Sequence, residues 1–171
     1  MGTCAICGKS GWFLSLPGGV CRECLPGVEN KFSEIQSDLK VAHRAIRRVR
    51  TLDTRVGYFE DVLRLYEEAA GYAKRGVEIR PVDPETGKPL NCSWEEAIQQ
   101  QRKAMDEHIS EEILEDVQKA LAAAKVATSS KKQSAIIHKM LLRIDSFRER
   151  MAEPSMLDEA ESMITPMLDD E

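Results

Sequence analysis

The sequence predicts a mainly α-helical chain that begins with a small metal-binding module. Three observations carry that prediction. Two Cys-x-x-Cys pairs, Cys4-Ala-Ile-Cys7 and Cys21-Arg-Glu-Cys24, stand within the first two dozen residues. From Val28 onward apolar residues recur at steps of three and four, the period of one helix face. Aromatic residues are only 5% of the 171 while charged residues are 31%, a balance that suits thin helical layers and argues against a thick sheet core.

The cysteine pairs come first. Zinc takes four soft ligands at tetrahedral angles, and a Cys-x-x-Cys turn brings two thiolates to one face of a tight loop. Thirteen residues separate Cys7 from Cys21, and Gly8 follows the first pair, where a turn often needs a positive φ. Residues 12–16, the turn Pro17-Gly18-Gly19 and then Val20 read as a hairpin between the two pairs. Pro26 suits the first turn of a helix. The expected ligands are therefore Cys4, Cys7, Cys21 and Cys24, holding one structural Zn2+ per chain, with unmetallated thiols or a redox pair as the alternative. Four thiolates close the shell, so a catalytic zinc with an open position is not expected. Trp12 and Phe13 read either as an exposed docking patch or as the module's own small core. Cys92 stands alone and reads as structural. Gly8-Lys9-Ser10 imitates the end of a phosphate-binding loop, but Thr3 occupies the position where that loop needs its first glycine.

Knuckle, hairpin and a second cysteine pair at a helix start resemble a treble-clef zinc finger over residues 1–27. The pattern is similar to the N-terminal zinc domain of the ClpX unfoldase, which dimerises and recruits adaptors, and to small uncharacterised bacterial four-cysteine domains. What the resemblance implies for this chain is the metal-ligand role of the four cysteines and no more.

The remainder, residues 28–152, reads as an elongated antiparallel coiled coil or three-helix bundle. Val28, Phe32, Ile35, Leu39, Ala42, Ile46 and Val49 alternate steps of four and three, and the alternation resumes at Leu52. The repeated three from Val49 to Leu52 is a stammer, which overwinds a supercoil locally. One long helix over residues 28–75, bent near Thr51, is expected; two helices meeting at residues 50–54, with Thr51 as a cap, are the alternative. Gly76 ends the run, and Pro81, Pro84, Gly87 and Pro89 make residues 76–92 a loop, with a small hairpin framed by Val77, Ile79 and Leu90. Ser93-Trp94-Glu95-Glu96 is a capping box that opens a helix over about 93–127, and Ser130-Lys131-Lys132-Gln133 opens another over about 130–152. Residues 153–171 form an acidic tail, seven Asp or Glu and no Lys or Arg, with a short helix capped by Ser155.

Charge is unevenly spread. Residues 1–55 carry +4 and residues 56–171 carry -9, summing to the net -5. Lys40, Arg44, Arg47, Arg48, Arg50 and Arg55 make a basic strip. Clustered cations beside a zinc module invite a nucleic-acid reading; the alternative is a solvated face that meets acidic residues of the same chain, the tail among them. An antiparallel partner helix reaches back only to about residue 42. That leaves Val28, Phe32, Ile35 and Leu39 as an uncovered seam, and burial of this seam by a sister chain predicts a homodimer.

His43, His108 and His138 have no ligand spacing, and Glu111, Glu112, Glu115 and Asp116 lack the Glu-x-x-His repeat of carboxylate-bridged metal sites. No nucleophile and base converge. The expected function is thus non-enzymatic: a scaffold or adaptor binding itself and another protein, with a nucleic-acid or transcription-associated factor as runner-up. In layout the chain also resembles the DksA-type regulators that insert a coiled coil into RNA polymerase, although here the zinc module precedes the helices. No small-molecule substrate or membrane is expected as a partner, and with no leading apolar run and no span of about 18 apolar residues the expected location is the cytoplasm.

Overall fold

The computed structural model describes residues 2–12 and 14–167. Five α-helices dominate the described residues: α1 (Leu25–Ile46), α2 (Leu52–Lys74), α3 (Trp94–Lys125), α4 (Ser130–Arg148) and α5 (Asp158–Ile164). Two short strands, β1 (Gly2–Thr3) and β2 (Ser10–Gly11), pair antiparallel near the N-terminus. The chain divides into two compact units, residues 1–101 and 102–171, and the division falls inside α3.

In the first unit, α1 and α2 form a helical hairpin. The single helix expected over residues 28–75 is two helices, and the corner lies where the stammer marked it. The Arg48 and Val49 amides both bond to the Ala45 carbonyl as α1 runs out, and Thr51 then takes an extended conformation and caps α2 with its side chain. Breaking here lets both apolar stripes face one another instead of pointing along one rod. Ile35, Leu39 and Ala42 of α1 bury against Val62, Leu65, Tyr66 and Ala69 of α2, joined by Ala97 from the start of α3. Removing a side chain the size of Ile35 or Leu39 from water is worth about 1.5–3 kcal/mol, which decides the hairpin over a straight helix. The apolar seam left for a sister chain is therefore covered by the chain itself: Val28, Ile35 and Leu39 are buried and Phe32 is half-buried.

α2 stops in a Schellman arrangement. Gly76 takes a φ of +100°, the Val77 amide bonds to the Tyr72 carbonyl, and Val77 is buried beside Tyr72. The loop that follows is packed down and not a free tip. Val82 and Pro89 make one antiparallel bridge, while Val82, Leu90 and Cys92 lie against the α1–α2 core. The Tyr66 hydroxyl donates to the Val82 carbonyl at 2.6 Å and the Trp94 indole to the Ile79 carbonyl at 3.2 Å. The capping box at α3 is formed, with the Ser93 amide donating to Glu96 Oε2 at 2.7 Å and the Glu96 amide to Ser93 Oγ at 3.1 Å.

In the second unit, α3 buries Met105, Ile109, Ile113, Val117 and Ala124, and α4 buries Ile137, Met140, Ile144 and Phe147. The cap of α4 is Ser129, one residue earlier than expected, its side chain accepting from the Lys132 amide. The tail is not a separate segment: Leu157, Ala160 and Ile164 are buried, and α5 packs on α4. Two of its acidic residues meet Arg148 within this unit, Asp158 at 3.1 Å and Glu161 at 2.6 Å. The end of the expected acidic tail, residues 168–171, lies outside the described residues. Among the described residues no helix is long and apolar enough to cross a membrane.

Candidate metal centre

The two cysteine pairs are built by different local structures. In the first, the Gly8 amide bonds to the Cys4 carbonyl at 3.0 Å and the Cys4 amide to the Lys9 carbonyl at 2.8 Å. Gly8 sits at φ +72°, a conformation that favours glycine, and β1 and β2 close the knuckle from outside through Thr3–Ser10 and Gly2–Gly11. In the second, the Cys24 and Leu25 amides both bond to the Cys21 carbonyl at 3.0 Å, so this pair leads straight into the first turn of α1, with Cys24 as its N-cap. Pro26 follows in that turn, where its missing N–H costs nothing.

The hairpin expected over residues 12–20 is not formed among its described residues. Pro17–Gly19 is instead a 3-10 turn with Gly18 and Gly19 at φ +59° and +80°. Its backbone pairs with other segments: the Ala5 amide donates to the Gly19 carbonyl and the Glu78 amide to the Gly18 carbonyl. A Cβ on Gly19 would meet the Gly76 carbonyl oxygen at 2.0 Å, so only glycine permits this approach. The turn thus stitches the knuckle to the chain leaving α2. Behind it Cys4, Val20, Cys21, Val28 and Val77 form a buried cluster, edged by Phe32 and Tyr72, whose rings meet edge to face at 5.5 Å.

These elements bring the sulfurs of Cys4, Cys7, Cys21 and Cys24 within 4.8 Å of one another, and the four together could hold a metal ion. All five cysteines are free of disulfides. Cys7 and Cys21 sulfurs stand 3.8 Å apart, and the Cys21 amide points at Cys4 Sγ at 3.3 Å. That amide, followed by the Cys7 amide, lowers the Cys4 thiol to about 6. Cys24 goes the other way, raised to about 12 by its hydrogen bond to Cys21, then by burial and the nearby Cys7. Four sulfurs this close cannot all ionise against their mutual repulsion alone; a bound dication is what makes four thiolates compatible. Beside the shell Lys9 pairs with Glu23.

The other residues singled out from the sequence lie elsewhere. Trp12 is 81% exposed beside the module. Phe13 lies outside the described residues. The basic strip is only partly a strip: Arg47 makes a bidentate pair with Glu85 at 2.8 and 2.7 Å, Arg55 donates to the Val49 carbonyl at 3.0 Å, and the Lys40 side chain runs against Gly87. Arg44, Arg48 and Arg50 are exposed. Asp116 of the acidic quartet pairs with Arg143 at 3.0 Å, and Glu115 pairs with Lys119 at 3.4 Å. Among the described residues the four cysteines are the one metal-capable cluster. The sequence reading missed Asp106, which is 1% exposed and accepts the Ala152 and Glu153 amides at 3.1 and 2.9 Å. The signal for it was weak: a carboxylate beside Met105 on an otherwise apolar stripe.

No protein-family model matches this chain, and no curated protein or solved structure is significantly similar to it.

Proposed function

We propose that this chain is a non-enzymatic, zinc-stabilised helical scaffold that works by binding proteins, itself included. The observation that carries the reading is the four-sulfur cluster and its place in the fold. A tetrahedral zinc with Zn–S bonds of about 2.3 Å sets its sulfurs about 3.8 Å apart, the separation found between Cys7 and Cys21. Four cysteines leave no position for water or substrate, which argues for a structural ion. The cluster's inner wall is also the core that joins the knuckle to α1 and α2, so the ion would brace a helical hairpin. In form the module is treble-clef-like, with a knuckle and a second pair at a helix start but, among the described residues, no hairpin between them. Trp12, exposed at the edge of that brace, is a ready anchor for a protein partner, since large aromatic side chains dominate such contacts. Free thiols throughout suit a reducing compartment such as the cytoplasm.

The nucleic-acid reading is weakened by the fate of the basic strip, because Arg47 is already neutralised by Glu85. The test is metal analysis and native mass spectrometry of the purified chain, with oligonucleotide binding followed as salt is varied. One zinc per chain and no retained nucleic acid are expected. Tight oligonucleotide binding that collapses as salt rises would replace the scaffold reading with the nucleic-acid one.

A further inference from the structure

We propose that the outward face of α1 is a docking surface for a second copy of this chain, laid antiparallel across Val41; the proposal rests on the reading of the chain as a protein-binding scaffold. α1 buries Ile35, Leu39 and Ala42 against α2. Beside that contact, and outside it, Val41 is 62% exposed. Glu34, Val41 and Arg48 are seven residues apart, two helical turns each, and so form one stripe along the helix. Arg47 keeps right-handed helical dihedrals and the Arg48 amide bonds back to Ala45, which carries the stripe past the last regular turn. From one end to the other the stripe reads acidic, apolar, basic. Asp38 and Arg44, three residues to either side of Val41, repeat that order, and all four charged side chains are exposed.

This pattern is self-complementary in one orientation only. A parallel copy would set Glu34 on Glu34 and Arg48 on Arg48. A copy related by a two-fold axis at Val41 sets Glu34 of each chain level with Arg48 of the other, sets Asp38 level with Arg44, and brings the two valines together. A groove of about 180 Å3 between α1 and α2, bordered by Val41, Tyr58 and Leu65, gives the incoming helix a recess at the same level. A nucleic-acid face would be basic throughout; here the basic half is matched by an acidic half on the same helix. The contact differs from the Val28–Leu39 seam, which α2 and the cysteine cluster already cover.

Sedimentation equilibrium on the full chain with its metal bound tests the proposal. A monomer–dimer equilibrium weakened by salt is expected. Glu34→Arg and Arg48→Glu should each loosen the dimer about tenfold or more, because by symmetry each creates two like-charge contacts. The E34R/R48E double variant should recover the parent affinity to within about threefold. Both positions are exposed, so circular dichroism should be unchanged in all three variants. A chain that stays monomeric at every concentration overturns the proposal, as does a dimer indifferent to the reversals or one that the double reversal fails to restore. A monomer that still carries one zinc and binds no nucleic acid would leave the scaffold reading intact, so the two failures are separable.

Discussion

The carboxylate of Asp83 accepts the Glu85 and Thr86 amides at 2.9 and 2.7 Å and the Thr86 hydroxyl at 3.1 Å. One side chain thereby folds the proline-rich turn that Glu85 needs in order to reach Arg47 and that Val82 needs in order to reach Tyr66. The Thr86 amide, with help from the Thr86 hydroxyl and the Glu85 amide, favours the charged form and holds this carboxyl below its ordinary value of 3.8. A lowered folded-state pKa contributes stability that is fully present above the unfolded value and is lost as pH falls through the folded one, which here means below about 4. Asp83→Asn keeps an acceptor and removes the charge. It is expected to cost about 1 kcal/mol near neutral pH, less than the ~1.5–3 kcal/mol of hydrogen bonds to a charged group because a neutral acceptor remains and water reaches the site. The gap to the parent should close as pH drops below about 4, where the parent carboxyl also becomes neutral. Urea titrations across that range check it; a gap of constant size would show that charge is not what holds the turn.

At the scale of elements, what could be read from the sequence was what is local. The zinc-type spacing is local, and the four thiols do converge; the Ser93–Glu96 capping box is local, and both of its hydrogen bonds form. The corner between α1 and α2 was half legible. The stammer marked its place, but no Gly or Pro interrupts residues 28–55, and choosing between a bend and a break needed the long-range burial of Ile35 and Leu39. The turn Pro17–Gly19 reads in the sequence as the tip of a hairpin because its partners are distant: Ala5 is 14 residues from Gly19, and Glu78 is 60 from Gly18. Asp106 was illegible for the same reason, since the amides it satisfies are 46 and 47 residues downstream. They belong to the segment that enters the 3-10 turn Pro154–Leu157 and then α5, so this carboxylate does at long range what an N-cap does locally. Asp106→Ala would take the acceptor from two amides in a partly buried contact. The expected loss is about 2–3 kcal/mol, with faster amide exchange at Ala152 and Glu153 and no change in metal content. If exchange at those two amides did not quicken, the carboxylate would not be what orders the tail.

At the scale of the molecule, the cysteine pairs read in the sequence as a module of their own over residues 1–27, detachable from the helices that follow. The packing changes that expectation. The Cys4–Cys21 cluster shares Phe32 with the α1–α2 core, and the Gly18–Gly19 backbone is bonded to Glu78 and pressed against Gly76 at the far end of α2. Metal removal should therefore propagate into the α1–α2 hairpin. Thiols left without a cation either protonate or repel, and either way the wall behind Val28 and Val77 loses its support. The second unit buries side chains along its own helices, Ile109, Ile113, Ile144, Phe147, Leu157 and Ile164 among them, and its tail is held by Asp106 and Arg148 within residues 102–171. Amide exchange of the intact chain with and without a chelator should thus separate the two units. Protection is expected to fall over residues 2–45 and 70–80, with a smaller fall in the middle of α2, and to persist in α4 and α5, since compact units of a chain can open one at a time. Loss confined to residues 2–27 would restore the detachable module, and loss through α4 would mean that the two units fold as one.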